Sequence, residues 1–212
     1  MDSPRMHNSA VGLPAGRAGA RRAFTLIELL VTVGVMGIAA ALVIPSMNST
    51  NGLRVQAAVR LVIADIAFTQ SDSMAYQARR CIQFNRVAKP NSASFTYVPG
   101  NGYTLAEPTG SVLDLTANAM FDPSRPTQPL SRNLDDAQFG GATISGVNIS
   151  GGNLLIFDEL GGPVTTLTGN EPASGTIDVT APGEAFRISI APYTGLVTVA
   201  RQATGEDEEE ED

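Results

Sequence analysis

Residues 24–44 read FTLIELLVTVGVMGIAAALVI and are followed by Pro45, and this apolar run decides how the rest of the chain is organised. It holds 21 residues with a single charge, Glu28. A helix rises ~1.5 Å per residue, so the run measures ~31 Å, about the thickness of the hydrocarbon core of a bilayer. A secretory signal peptide has a shorter apolar segment, ~7–15 residues, and its cleavage site follows that segment. We therefore predict a transmembrane helix over residues 24–45.

The charge in front of the run predicts its orientation. Residues 1–23 contain four arginines and one aspartate, a net charge of +3, which leaves the remainder of the −7 chain near −10. Arg21 and Arg22 lie directly before the span. Positive charge beside a span favours the cytoplasmic side. We therefore expect a cytoplasmic leader over residues 1–23 and an exported C-terminal part.

Glu28 is an unusual residue inside such a run. An acid at the centre of a membrane helix costs roughly 2.5–3.5 kcal/mol on insertion scales, and less toward the ends. One interpretation is that the side chain reaches to the headgroups. The other is that the carboxylate has a partner, because an acid and a base that are costly alone in a low dielectric offset one another as a pair.

The order of these features resembles the class III signal of type IV prepilins and type II secretion pseudopilins. Arg21 and Arg22 are followed by the small residue Ala23, then Phe24, then TLIELL and the apolar run. The resemblance implies that a prepilin peptidase cuts between Ala23 and Phe24 and methylates the new Phe24 amine. It also implies that Glu28 pairs with the Phe24 amine of a neighbouring subunit, and it makes Glu28 and Pro45 assembly positions. Ala23 stands where this signal usually has glycine.

A second helical pattern follows the span. Residues 46–52 are polar and turn-rich, and we expect them to bend or loosen the helix. Apolar residues then recur at steps of three and four, at Val55, Val59, Val62, Ile63 and Ile66. This spacing predicts an amphipathic helix within residues 46–80, with its apolar stripe packed on the protein's own sheet.

Residues 81–203 change to a period of two, which predicts a β-rich domain. Residues 81–85 and 94–98 predict a hairpin, and we interpret residues 99–133 as a variable loop region with weak strand signals at 103–105 and 112–115. Five further strands are predicted over residues 142–149, 154–157, 175–179, 186–190 and 196–199. The fold class is therefore α+β: a long N-terminal transmembrane and amphipathic helix packed on a C-terminal antiparallel sheet domain, as in pilins.

The end of the chain, residues 204–212, includes seven consecutive acids from Glu206 to Asp212. A block of like charges repels itself, so we expect a disordered, solvated tail. A docking tail for a basic partner and a loose divalent cation site are the alternatives. A calcium loop needs turn glycines and fixed ligand spacing, which this run lacks.

Two later segments resemble the β-hairpin signatures of the GspH/FimT group of minor pseudopilins. Residues 154–163 read LLIFDELGGP, and residues 186–199 read FRISIAPYTGLVTV. In both, a strand runs into a glycine-containing turn and continues beyond it. Residues 61–84 also resemble that group's junction between the helix and the first strand.

The residues that catalysis or metal binding would require are missing from these patterns. Cys81 is the only cysteine, and His7, in the leader, is the only histidine. We interpret Cys81 as a buried apolar residue, and we expect no metal, no cofactor and no enzymatic activity. The adjacent carboxylates at 135–136 and 158–159 are read as turn residues, because neighbours in a strand point to opposite faces.

The favoured function is a structural minor pseudopilin or pilin-like subunit of a type II secretion or type IV pilus system. The residues do not distinguish these two systems. Its partners would be a prepilin peptidase, other pseudopilins or pilins, and an inner-membrane platform protein. It would be a single-pass protein of the bacterial inner membrane, with a periplasmic or extracytoplasmic β domain.

The alternative is a DNA-uptake or adhesive minor pilin that binds a ligand through its exposed β domain. Binding to phosphates requires a clustered basic face. Arg79, Arg80, Arg86 and Lys89 form the one local basic cluster of an otherwise acidic chain. The net charge therefore disfavours nucleic acid as the ligand.

Overall fold

The computed structural model describes residues 25–91, 94–139 and 141–203, and of residues 40–51 it describes the backbone alone. An N-terminal helix is followed by antiparallel strands, so the α+β class is confirmed. The chain divides into two compact units between Val43 and Ile44.

One helix, α1, covers Leu26–Tyr76. The helix continues through residues 46–52, where the sequence predicted a bend or a looser helix. The helix ends where Gln77 takes a left-handed conformation with φ 49°. The Ala78 N–H then donates to the Ser73 carbonyl oxygen at 3.1 Å. This is the Schellman arrangement, which satisfies a terminal carbonyl that the helix itself leaves unpaired.

Among the described residues, the strands after α1 form three sheets. A five-stranded sheet has the order β5-β2-β1-β7-β8, a four-stranded sheet has the order β11-β10-β9-β6, and β3 and β4 form a separate pair. The elements after α1 are β1 (Arg80–Pro90), β2 (Phe95–Ala106), α2 (Leu115–Asn118), β3 (Phe121–Asp122), β4 (Arg125–Pro129), β5 (Ser131–Asn133), β6 (Thr143–Ile149), β7 (Leu154–Phe157), β8 (Pro163–Val164), β9 (Gly175–Ala181), β10 (Glu184–Ile190) and β11 (Val197–Gln202).

The core lies between α1 and both large sheets. Of the predicted stripe of α1, Ile63 is partly buried and the other four residues are buried, and all five pack in one cluster with side chains from the two sheets. The five-stranded sheet contributes Ile82, Phe84, Tyr103, Leu105, Leu155 and Phe157, and the four-stranded sheet contributes Ile144, Ile149, Ile177, Val179, Ile188 and Ile190. The second half of α1 is therefore covered by the protein's own sheets, as the spacing of its apolar residues predicted.

The prediction of a loop region over residues 99–133 is wrong in its first part. β2 continues through Pro99 to Ala106 and pairs with β1, and Tyr103 and Leu105 are fully buried. Gly102 marks a close approach of strands, because a Cβ there would overlap the Arg132 carbonyl. Pro99 lies where β2 has no second neighbour, since β5 pairs only with residues 102–104. An unpaired edge is where a strand tolerates proline.

The weak strand signal at residues 112–115 is also wrong. This segment holds an isolated bridge between Thr109 and Val112 and then the start of α2. Asp114 caps α2, and its Oδ1 accepts a hydrogen bond from the Thr116 N–H at 2.9 Å. Both hairpins drawn from the later segments do form, with β7 paired to β8 and β10 paired to β11.

Candidate functional site

The start of α1 carries the one acidic side chain of the apolar run. Thr25 directly precedes the helix, and its Oγ1 accepts a hydrogen bond from the Glu28 N–H at 3.3 Å. This N-cap satisfies one of the unpaired N–H groups of the first turn. The Glu28 side chain is exposed, and a carboxylate in a first turn is favoured by the positive end of the helix dipole. Within the described residues its carboxylate makes no ion pair.

The helix surface around Glu28 is apolar on every side. The large apolar side chains of this segment are exposed by 54% to 83% of their area: Leu26, Ile27, Leu29, Leu30, Val31, Val33, Val35, Met36 and Ile38. Successive residues lie ~100° apart around a helix, so this run leaves no polar face. A helix of this kind requires burial in lipid or among other helices.

Parts of the sequence-predicted site lie outside the described residues. These are Ala23, Phe24 and the side chain of Pro45, whose backbone belongs to α1. No helix within the described residues combines the length and the apolar character that crossing a bilayer requires.

The structure brings the two predicted hairpin turns together on α1, through a residue that the sequence reasoning passed over. The amide of Gln70 donates to the Gly161 carbonyl oxygen at 2.7 Å and to the Thr194 carbonyl oxygen at 2.9 Å. We call residues 158–162 and 191–196, which are joined in this way, the turn pair. One side chain of α1 thereby fixes the ends of both large sheets.

The turn pair displays large apolar side chains. Leu160 is 85% exposed and Tyr193 is 76% exposed, and Leu196 is also exposed. Tyr193 has φ 65°. A bulky residue in this left-handed region is strained, and such residues are concentrated at functional sites. The turn pair is therefore a candidate contact surface of the β domain.

The four basic residues proposed as ligand candidates are not gathered at one surface. Arg79 donates to the Thr166 and Gly169 carbonyl oxygens at 3.0 and 2.8 Å and to Asn170 Oδ1 at 2.6 Å. It thereby ties the loop after β8 to the end of α1. Its guanidinium is already occupied by this loop.

Arg80 is likewise occupied. Its side chain is 5% exposed, and its guanidinium contacts Asp72 and Glu107, the latter at 3.2 Å. Its Cζ lies 5.4 Å from the centroid of the Tyr76 ring, within cation–π range. These four residues are among those that line a groove of ≈ 750 Å³ between α1, the end of β2 and α2.

Arg86 and Lys89 lie exposed on β1, well away from Arg79. Arg86 follows Asn85, whose φ of 59° accompanies a register shift between β1 and β2. Lys89 lies ten residues beyond Arg79, which is roughly 30 Å along a strand at about 3.3 Å per residue. Arg86 donates to the Tyr97 carbonyl oxygen at 3.3 Å.

A buried polar network joins α1 to the segment that the sequence suggested was loop. Asp65 Oδ2 accepts hydrogen bonds from the Tyr103 hydroxyl and from Arg132 Nε, both at 2.9 Å. Burial, and then the Asp65 carboxylate, raise the pKa of Tyr103 well above its usual value. Arg132 also approaches Asp122 at 3.5 Å. In the sequence, the only sign of this network was Asp65, a single acid among the apolar residues of the α1 stripe.

Cys81 is fully buried, as predicted, and its Sγ lies 3.5 Å from the Ala106 carbonyl oxygen. Burial raises the pKa of its thiol to about 12, so the reactive thiolate is suppressed. Asp158 is a turn residue, since its Oδ1 accepts from the N–H groups of Leu160 and Gly162 at 3.0 and 2.7 Å. Among the residues described, no three His, Cys, Asp or Glu side chains come together as metal ligands.

Comparison with known proteins gives one match, at the N-terminus. Residues 19–44 match the family model of the prokaryotic N-terminal methylation motif. This segment contains Ala23, Phe24 and Glu28. No curated protein and no solved structure matches the chain. A motif of this kind implies a membrane-anchored N-terminus, processing by a prepilin peptidase and assembly with other pilins. The chain thus carries the prepilin-type methylation motif of type IV pilin-like structural subunits.

Proposed function

We propose that this protein is a structural minor pseudopilin or pilin-like subunit of a type II secretion or type IV pilus system. The observation that carries the proposal is the start of α1, where the motif sets an exposed acid in a helix that is apolar on all sides. Prepilin peptidase would cut between Ala23 and Phe24 and methylate the Phe24 amine. Residues 24–45 would hold the subunit in the bacterial inner membrane until it enters a filament.

Assembly would proceed through the first half of α1. The exposed apolar side chains between Leu26 and Ile38 would leave lipid and pack on the helices of neighbouring subunits. Glu28 would pair with the Phe24 amine of a neighbour. Each charge alone is unfavourable in a low dielectric, so the pair selects the one axial register in which both are satisfied. An inner-membrane platform protein would hold the growing filament, and the β domain would face the periplasm.

Within this proposal we favour the GspH/FimT group, and the turn pair supports that choice. The two glycine turns that carry the resemblance converge on Gln70 and display Leu160, Tyr193 and Leu196. Such a surface suits contact with the next subunit or with cargo. The alternative, a DNA-uptake or adhesive pilin, has weaker support, because Arg79 and Arg80 are bound within the chain.

Replacing Glu28 tests the assembly role. Glu28→Ala is expressed with the other pilin-like subunits and the peptidase of its host, and neighbouring subunits are captured by cross-linking in membranes. We expect the variant to remain in the membrane fraction and to lose its cross-links to other subunits. Glu171→Ala, which removes an exposed acid of the β domain, is the matched control and should assemble normally. Wild-type cross-linking of Glu28→Ala would overturn the proposal.

A further inference from the structure

Strand β11 is the open edge of the four-stranded sheet. It pairs with β10 over six residues, from Val197 to Gln202, with no shift of register. Within the described ranges no strand pairs with its other side. Val197 is partly buried and packs on the core, but the side chains of residues 198–201 are all exposed, so neither face of the strand is covered over these four residues. An uncovered edge presents a row of unpaired N–H and C=O groups that can pair with another chain.

The other edges of the two large sheets are protected. β5 has three residues, and β8 has two and begins with Pro163. β6 carries a bulge between Ile144 and Gly146. The Asn101 amide also covers the start of β6, since it accepts from the Ile144 N–H and donates to the Ala142 carbonyl oxygen, both at 2.9 Å. Short strands, proline, bulges, covering groups and charged side chains are the usual protections of an edge. Of these β11 has only one charged residue, Arg201, near its end.

Three residues of β11 direct their backbone groups to the open side. The Ala191 N–H donates to the Leu196 carbonyl oxygen at 2.9 Å, which marks a hydrogen-bonded pair at the start of the β10–β11 ladder. Such pairs alternate along antiparallel strands. Thr198, Ala200 and Gln202 therefore bond to β10, while Val197, Val199 and Arg201 present their N–H and C=O groups outward.

An apolar groove lies beside this edge. It has a volume of ≈ 470 Å³ and is lined by Ile63, Ala67 and Gln70 of α1 and by residues 194–197, with no residue of β10. Val199 lies opposite Ile188, so both share the face that looks toward the core. Ile188 is fully buried, yet Val199 is 44% exposed. Helix α1 therefore covers this face of the sheet at β10 but leaves it partly exposed at β11.

We infer that β11 accepts an extended segment of another protein as a fifth strand. The apolar side chains of that segment face the groove, and its basic residues extend past the Gln202 end of β11. We expect the partner segment to carry basic residues because this chain continues from β11 into seven consecutive acids, which attract positive charge. A second copy of this chain is the less favourable occupant, because two chains of net charge −7 repel one another. The edge belongs to the β domain, so strand addition does not depend on assembly through α1.

A synthetic peptide tests the inference on the full-length protein in detergent micelles. Antiparallel pairing places the N-terminus of an added strand at the Gln202 end of β11, from which the chain continues into the acids, so the probe is Lys-Lys-Lys-Thr-Val-Thr-Val-Thr-Val. We expect it to slow amide hydrogen exchange of Val197, Val199 and Arg201 by about tenfold or more. Thr198 and Ala200 are already bonded to β10 and should change little. The same peptide with N-methylated valines, which lacks those donors, should give no protection.

Variants of the strand and of the probe separate the two parts of the inference. Val199→Pro removes an outward N–H and keeps the bonds to β10, so it should weaken probe binding by about tenfold or more. Val199→Thr keeps the N–H and should bind normally. A probe with serines in place of the lysines should bind more weakly at low salt.

Absence of protection, equal protection by the N-methylated peptide, or equal binding by the serine probe would overturn the inference. Protection of the same three amides without any peptide, increasing with protein concentration, would assign the edge to a second copy and overturn it too.

Discussion

Arg132 Nε lies 2.9 Å from Asp65 Oδ2, and this ion pair joins the middle of α1 to β5, 67 residues later in the chain. The same carboxylate oxygen accepts the Tyr103 hydroxyl. Asp65→Ala would leave a buried hydroxyl without its partner and a partly buried guanidinium with only its longer contact to Asp122. We expect it to lower the free energy of unfolding by about 3 kcal/mol. Urea denaturation followed by circular dichroism measures this. Asp136→Ala removes an exposed acid and should stay within about 0.5 kcal/mol of the wild type; similar losses in both variants would contradict the role of the pair.

Gln70 holds both halves of the turn pair, so removing its amide should loosen both turns together. Gln70→Met keeps the length of the side chain and lacks both donors. We expect a loss of stability of about 2 kcal/mol and faster amide exchange in residues 158–162 and 191–196. Gln56→Met, on the same helix, is the control, because Gln56 makes no side-chain hydrogen bond to the described residues. Unchanged exchange in either turn would show that Gln70 does not hold it.

Gly102 tests the corrected assignment of β2. A Cβ at this position would overlap the Arg132 carbonyl, which is backbone and cannot turn aside. We expect Gly102→Ala to lower the free energy of unfolding by about 1–3 kcal/mol through overpacking. At Gly152 the nearest atom to an added Cβ is 3.7 Å away, so Gly152→Ala should be tolerated better. Equal stability of the two variants would mean that β2 and β5 are not held this closely.

Alkaline pH should destabilise the β domain through Cys81 and Tyr103. Burial raises the pKa of the Cys81 thiol from 9.0 to about 12 and raises that of Tyr103 well above 10.0. Above pH 9 the unfolded chain ionises first and binds fewer protons than the folded chain, so the stability falls as the pH rises. Thermal unfolding from pH 8 to pH 11 should show this fall. Cys81→Ala should flatten its first part; an unaltered profile would contradict the buried thiol.

The periodic parts of the fold could be predicted from sequence. The stripe from Val55 to Ile66 and the strands between residues 142 and 199 are alternating or helical runs, and the structure has the helix and strands in those places. The motif around Phe24 and Glu28 could also be recognised from the sequence, because positive charge, a small residue and a long apolar run follow one another in a fixed order.

The contacts between distant segments could not be predicted in this way. Residues 99–106 contain Pro99, Gly100 and Gly102, which are typical of turns in isolation. Gly102 is nevertheless what a strand needs where another backbone passes close by, and that neighbour, Arg132, lies 30 residues away in sequence. Arg79 and Arg80 looked like a free basic cluster for the same reason, since the groups that occupy them come from residues 72, 107 and 166–170.

The intact mass of the membrane-extracted protein, expressed with and without a prepilin peptidase, tests the central claim most directly. We expect the mass to fall by residues 1–23 and to gain one methyl group, only when the peptidase is present. Ala23→Gly restores the residue that this signal usually has and should be processed at least as completely. A leader that stays attached in both proteins, with the peptidase present, would contradict the assignment and leave an apolar helix joined to a β domain of another function.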